Sequence, residues 1–202
     1  MTKIYKLYLS LLKKYQEPQE FWQRWCKTEK TGQDRTAIVL GAILTQRTNW
    51  RNVELALKNL KKAKALSVEK VCRINRRSLE KLIKPAGFYR QKAKRLIGLC
   101  RFIVKNHKTL EKFFTQSLPT CREQLLVLKG VGPETADSIL LYAGHKPIFV
   151  IDEYTRRFAK KRHLSDNLSY DYLQQLFQKN LPRNVKIYQD FHALIVLEGK
   201  GS

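Results

Sequence analysis

Residues Leu128 to Asp152 read LKGVGPETADSILLYAGHKPIFVID, and this stretch decides the fold. Gly130 and Gly132 flank Val131, directly after an apolar helical run that includes Leu125, Leu126 and Leu128. Two glycines at this spacing permit a tight turn whose backbone N–H groups face outward, with no side chain to block a close approach. Pro133 suits the first position of a following helix, because its φ is fixed and the donor it lacks would be unpaired there anyway. Free N–H groups beside a helix N-terminus form a site for an anion such as a phosphate. Twenty residues past Gly132, Asp152 follows the apolar run Ile148–Ile151 and is placed to open the next helix.

Outward from this segment the periodicity is helical almost everywhere. Ile4, Leu7, Tyr8, Leu11 and Leu12 share one helical face. So do Ala37, Leu40, Gly41 and Leu44, and again Val53, Leu57 and Leu60. A long helix is predicted over Tyr89–Asn106, with Ala93, Leu96, Ile97, Cys100, Phe102 and Ile103 toward a core, and two more over 171–179 and 186–197. The extended-looking Pro147–Ile151 is too short for a sheet and reads as a connector into the helix that Asp152 opens. There is no internal repeat and no low-complexity tract. The expected fold class is all-α, and 202 residues suffice for one large domain or two small lobes.

The charge balance points to a polyanion. Forty Lys and Arg against 17 Asp and Glu give a formal net charge of +23. Affinity for nucleic acid from such a surface comes from neutralising phosphates and falls steeply with salt. A basic surface alone is equally compatible with no such partner, so the charge corroborates the glycine turn rather than standing by itself.

The residues quoted so far carry a specific resemblance. The chain resembles the helix-hairpin-helix (HhH-GPD) DNA glycosylases of the endonuclease III superfamily, whose signature is L-x-G-V-G followed by a catalytic aspartate. Here the hairpin is Leu128, Lys129, Gly130, Val131 and Gly132, and the aspartate is Asp152. AILTQRT, Ala42–Thr48, is similar to the family's helix end and turn that enter the gap left by an extruded nucleotide. GFYRQKA, Gly87–Ala93, is similar to the G-x-Y-x-x-K-A segment that wedges into the base stack. Residues 128–157, with Thr155, Arg156 and Arg157 after the aspartate, look most like a small bacterial branch that includes 3-methyladenine DNA glycosylase III.

The resemblance implies two helical lobes with a DNA-binding cleft between them and Asp152 at its mouth. The central lobe would span residues 36–135, with the helix-hairpin-helix over about 121–143. The second would combine residues 1–35 and 136–202. The implied activity is that of a base excision repair DNA glycosylase, an enzyme that flips a damaged base from the duplex and hydrolyses its N-glycosidic bond. The carboxylate of Asp152 would stabilise positive charge on the sugar and orient or deprotonate the attacking water. On the residues alone, Asp152 also reads as a simple helix N-cap.

Bifunctional relatives carry a lysine two residues after the last hairpin glycine, and it leads to strand cleavage through a Schiff base. The matching residue here is Glu134, and a carboxylate cannot form an imine. A monofunctional enzyme is therefore expected, with alkylated purines such as 3-methyladenine as the leading substrate. A bifunctional glycosylase/AP lyase acting on oxidised bases needs another amine, for which Lys129 and Lys146 are nearby in sequence. A third reading, from a different class, is a non-catalytic hairpin protein that binds damaged DNA.

Phosphate binding is assigned to Lys129, Gly130, Val131, Gly132 and Thr135, and the DNA wedge to Gln46 and Phe88. Phe88 has the apolar bulk for this, although a core aromatic next to Tyr89 is the plain alternative. Trp22, Trp25, Trp50 and Glu134 are the candidates for a base pocket. Aromatic faces suit a flipped base and attract a cationic one, yet each tryptophan also reads as ordinary packing, and Glu134 as a carboxylate favouring the helix dipole. Asp137 is expected to have a surface or capping role, His192 to be a core or interface histidine, and one of Arg156 and Arg157 to lie on a solvated face.

The four cysteines, Cys26, Cys72, Cys100 and Cys121, include no C-x-x-C pair. The close cysteine set that holds an iron–sulfur cluster in many relatives is missing, so no cofactor and no metal are expected. Residues 1–15 mix lysines into an amphipathic pattern and read as a core-packing helix rather than a targeting or membrane segment. The expected setting is cytoplasmic and nucleoid-associated. The expected partner is double-stranded DNA containing a damaged base, bound by a monomer, with no membrane.

Overall fold

A computed structural model describes residues 1–19 and 21–200; Glu20, Gly201 and Ser202, which belong to the expected second lobe, lie outside the described residues. The described residues are all-α. The helices are α1 (Lys3–Tyr15), α2 (Phe21–Cys26), α3 (Gly32–Leu44), α4 (Trp50–Lys62), α5 (Val68–Arg73), α6 (Arg76–Leu82) and α7 (Tyr89–His107). They continue as α8 (Leu110–Phe114), α9 (Leu118–Leu126), α10 (Pro133–Ser138), α11 (Glu153–Lys161), α12 (Tyr170–Asn180) and α13 (Val185–Lys200). A 3-10 turn, Lys84–Ala86, precedes α7, and a wider π turn, Ile139–Ala143, follows α10. No strand occurs among the described residues.

Local chemistry sets many of the helix starts. Thr2, Thr31, Asn49, Ser67, Asn75, Thr109, Ser117 and Asp152 each place a side-chain oxygen on a backbone N–H two or three residues on. Each such cap satisfies a donor that the helix itself cannot. At α3 the arrangement is reciprocal, with Thr31 accepting from Asp34 N and Asp34 accepting from Thr31 N.

The chain divides into two compact units, Lys30–Ile139 and Met1–Glu29 with Leu140–Ser202. The boundaries expected from the sequence stand at 35/36 and 135/136, a few residues from these. Each unit is built on one largely buried central helix. In Lys30–Ile139 that helix is α3, buried from Thr36 to Leu44, with α4, α7, α8 and α10 packed on it. Helices α5 and α6 lie on α7. Phe102, expected in the core stripe of α7, is only half-buried and packs on His107 and Phe113.

In the other unit the central helix is α13, buried from Tyr188 to Val196, with α1, α2 and α11 against it and α12 on α1. The segment before α11 runs extended, with Ile148, Phe149, Val150 and Ile151 buried. A lone buried extended segment leaves backbone groups to be satisfied. Two side chains of α12 do this at Phe149, where Gln178 Oε1 accepts from N at 2.9 Å and Gln174 Nε2 donates to O at 2.7 Å. This holds the middle of the connector in place, three residues before Asp152. Among the described residues no helix is long and apolar enough to cross a membrane.

Candidate functional site

The hairpin lies wholly within Lys30–Ile139. Helix α9 ends at Leu126, a turn closed by Val131 N donating to Leu128 O at 3.0 Å follows, and Pro133 opens α10. The two glycines serve different ends. Gly130 has φ +84°, a conformation that disfavours any side chain, and a Cβ there would also have to displace the end of the Arg95 side chain. Gly132 has φ −95°, open to any residue, and a Cβ there would meet nothing within 4 Å. No side chain of the described residues caps α10, and Gly132 lies at an exposed surface. Lys129 is exposed, Val131 is buried and anchors the turn, and Thr135 is buried.

Three side chains brace this turn. Gln46 Nε2 donates to Gly130 O and to Thr135 Oγ1, both at 3.0 Å, while its Oε1 accepts from Arg95 Nη1. Gln46, assigned to the wedge, is thus held within its own unit rather than projecting freely. Across the hairpin Arg122 on α9 donates to Asp137 on α10, Nε to Oδ1 at 2.8 Å and Nη2 to Oδ2 at 3.2 Å. Asp137 is fully buried, which corrects its expected surface or capping role. Beside the turn a cleft of about 540 Å³ is lined by Gln91, Lys94, Arg95, Gly98 and Leu99 of α7 with Leu128, Lys129 and Gly130. Its titratable side chains are all basic, as a phosphate-bearing partner requires.

Phe88 stands apart from any core. It is 59% exposed, precedes α7 and has φ 45°, immediately after Gly87 at φ 67°. A bulky residue in the left-handed region costs roughly 1–2 kcal/mol, so this turn thrusts an aromatic ring into solvent at some expense. Trp50, at the start of α4, is half-buried, and Glu134, in the first turn of α10, is exposed; both belong to Lys30–Ile139.

In the other unit, Asp152 is the N-cap of α11. Its Oδ1 accepts from Thr155 N at 2.7 Å and from Thr155 Oγ1 at 2.9 Å. Its Oδ2 lies 3.5 Å from His192 Nε2, an electrostatic contact longer than a hydrogen bond. The side chain keeps 15% exposure, so the carboxylate still reaches an opening. Burial by itself pushes this carboxyl up, but the His192 charge and the two Thr155 donors outweigh it and hold Asp152 below its ordinary value. Asp152 is an ionised cap with one oxygen not taken by the helix.

His192 is tied in turn to Tyr142, whose hydroxyl lies 2.6 Å from Nδ1 and donates to Gln189 O at 3.2 Å. Trp22 and Trp25 are buried against this pair, with Trp22 centred 5.6 Å from Tyr142 and 5.8 Å from His192, and Trp25 5.1 Å from Tyr142. Trp22 Nε1 is buried and has no hydrogen-bond partner among the described residues. His192, expected to be a core or interface histidine, is buried and links the aromatic cluster to the carboxylate. Nothing local in the sequence marks this, because Tyr142, Asp152 and His192 come from three separate segments. After the aspartate, Arg156 donates to Leu168 O at 3.2 Å, while Arg157 is exposed beside Glu153.

The cysteines do not fit an iron–sulfur cluster. Cys26 is in one unit and Cys72, Cys100 and Cys121 are on three different helices of the other. No group of three His, Cys, Asp or Glu able to hold a metal ion occurs among the described residues.

The site thus consists of a glycine-turned hairpin beside a cleft whose titratable side chains are all basic and, in the other unit, an aspartate held below its ordinary value at the start of a helix. Residues 40–183 match the family model of HhH-GPD superfamily base excision DNA repair proteins, and the chain belongs to that superfamily as a DNA glycosylase of base excision repair. It is 43% identical over 196 residues, 96% of this chain and 85% of the relative, to a Methanocaldococcus jannaschii protein provisionally named a DNA repair glycosylase. It is 28% identical to endonuclease III of Thermotoga maritima over 75% of this chain and 68% of the relative. Among solved structures it superposes on the H. pylori 3-methyladenine DNA glycosylase MagIII bound to 1,N6-ethenoadenine. The TM-score is 0.83 and the identity 31%, with 99% of this chain and 98% of that one covered.

Proposed function

We propose that the chain is a monofunctional glycosylase that removes alkylated purines, 3-methyladenine among them, and leaves an intact abasic site. The observation that carries this reading is the pairing of an ionised Asp152 with Glu134, rather than a lysine, two residues after the hairpin's last glycine. In the reaction the C1′–N bond breaks with its electron pair going to the base. A purine alkylated at N3, as in 3-methyladenine, carries positive charge in the duplex and so leaves neutral, needing little protonation. Asp152 stabilises the cationic sugar and accepts the proton of the water that adds to C1′.

Several features support the substrate class. The likeness to MagIII extends over nearly the whole chain. Trp22 and Trp25, with Tyr142 and His192, supply an aromatic environment next to the partner of Asp152, and aromatic faces attract a cationic base. Phosphate contacts are assigned to Lys129, Thr135 and the backbone of Gly130–Gly132. Phe88 is the wedge that needs no rearrangement, whereas Gln46 must first release its three hydrogen bonds.

The test is a set of end-labelled duplexes carrying an alkylated adenine, uracil, an oxidised pyrimidine or 8-oxoguanine, each treated with and without hot alkali. Breaks on the alkylated duplex that need alkali, and vanish in Asp152→Asn, are the expected result. Breaks without alkali, or a covalent adduct trapped by borohydride, would overturn the monofunctional reading. Excision only of an oxidised base would overturn the substrate.

A further inference from the structure

The GFYRQKA segment contains a lysine to which neither the grip nor the chemistry has assigned a task. Lys92 is 1% exposed, and its ammonium donates to Leu44 O at 2.8 Å and to Ala86 O at 2.7 Å. No carboxylate pairs with it within 4.0 Å among the described residues. Burying an ammonium in a helical core is costly unless its donors are used, and here they are used on two carbonyls far apart in sequence.

Both carbonyls sit at the same kind of place. Leu44 is the last residue of α3, where carbonyls lack helical partners, and Thr48 N turns instead to Thr45 O at 3.2 Å. A cation is also favoured there by the helix dipole. Ala86 is the last residue of the 3-10 turn. Immediately beyond each lies a turn with residues in the left-handed region, Arg47 at φ 55° after Gln46, and Gly87 and Phe88 at φ 67° and 45°. Gln46 continues the linkage to Gly130 O and Thr135 Oγ1 of the hairpin.

We propose that Lys92 is a positioning residue that locks the Gln46 turn and the Phe88 turn together, so that both meet the duplex as one preset unit. The inference rests on the reading of these turns as the elements that enter the base stack. The lysine touches neither DNA nor the reacting atoms. Its contribution is to make base extrusion, rather than bond cleavage, efficient.

The test compares wild type with Lys92→Met, which keeps the stem length and removes the donors. Lys92→Gln is a second variant should the first fail to fold, and Phe88→Ala reports on the turns themselves. Amide hydrogen exchange of the free proteins is followed at residues 45–48 and 86–90, with 128–132 alongside. Excision of one lesion is measured in a fully paired duplex and opposite a gap, where little extrusion is needed. In Lys92→Met both turns are expected to exchange faster together, and excision to fall about 10- to 100-fold on paired duplex but within about threefold opposite the gap. Unchanged exchange in either turn overturns the proposal. So does an unchanged paired-to-gapped ratio when Phe88→Ala lowers that ratio. An unchanged ratio in Phe88→Ala overturns the reading of the turns instead, and the exchange data then decide whether Lys92 couples them.

Discussion

Asp152 Oδ2 and His192 Nε2 face each other at 3.5 Å, while the other oxygen of the same carboxylate caps α11 through Thr155. One aspartate therefore starts a helix and presents a charge beside an imidazole that Tyr142 holds from the far side. The two tasks are compatible because a carboxylate has two oxygens and the cap uses one.

The first consequence is a variant that separates folding from chemistry. Asparagine caps helices about as well as aspartate, so Asp152→Asn is expected to melt within a few degrees of wild type and to keep its affinity for lesion DNA. Its single-turnover excision is expected to fall at least about 100-fold. Retained turnover would exclude Asp152 from the chemistry.

A second expectation concerns pH. His192→Phe removes an influence that lowers the Asp152 carboxyl, leaving burial, which raises it, opposed by Thr155 alone. The acid limb of excision should then move to higher pH. The sign is fixed: a depressed carboxyl stabilises the fold above its unfolded value and loses that contribution as pH falls through the lower folded value. Acid unfolding of His192→Phe is accordingly expected to begin at a higher pH than in wild type. Superimposable pH–rate profiles would show that the imidazole does not tune the carboxylate.

The hairpin glycines should respond in opposite ways. Gly130→Ala meets Arg95 and a positive φ, and is expected to destabilise the protein by roughly 1–3 kcal/mol. Gly132→Ala should unfold within about 0.5 kcal/mol of wild type. It is nevertheless expected to bind duplex about tenfold more weakly, because the methyl group occupies open space that the glycine leaves for a close approach to the turn. Denaturant titration and DNA binding measured on both variants check the pair.

Phe88 offers a similar separation at the wedge. Glycine relieves the left-handed strain but adds chain entropy, so Phe88→Gly should unfold within about 1 kcal/mol of wild type. Excision from a paired duplex is expected to drop all the same. Equal rates would return the residue to the status of a surface aromatic.

Lys92 gives a stability prediction with a definite direction. Burial first, and then the Arg95 charge, lower its ammonium from 10.5 to about 8. Between about 8 and 10.5 the unfolded chain holds more protons at this site than the folded one, so the contribution of Lys92 to stability rises with pH across that window. The stability of wild type relative to Lys92→Met should therefore improve as pH rises from about 8 toward 10.5. A difference that stays flat would mean the site is not depressed.

Features that depend on near neighbours are legible in the chain alone. The α10 start at Pro133, the cap at Asp152, the long α7 and the short connector before α11 all follow from φ preferences, capping side chains and apolar spacing within a few residues. Glu134 at the lysine position was equally plain. The tertiary structure alone decided which distant groups meet. His192 reaches Asp152 from forty residues away, Gln46 braces a hairpin more than eighty residues on, Arg122 buries Asp137, and Lys92 joins the ends of two separate elements. It also distinguished Gly130, fixed by its positive φ, from Gly132, whose backbone angle suits any residue. Capping and periodicity act along the chain and leave a local signature, whereas these contacts arise only when packing closes long loops, and residue type alone does not say which ends will be brought together.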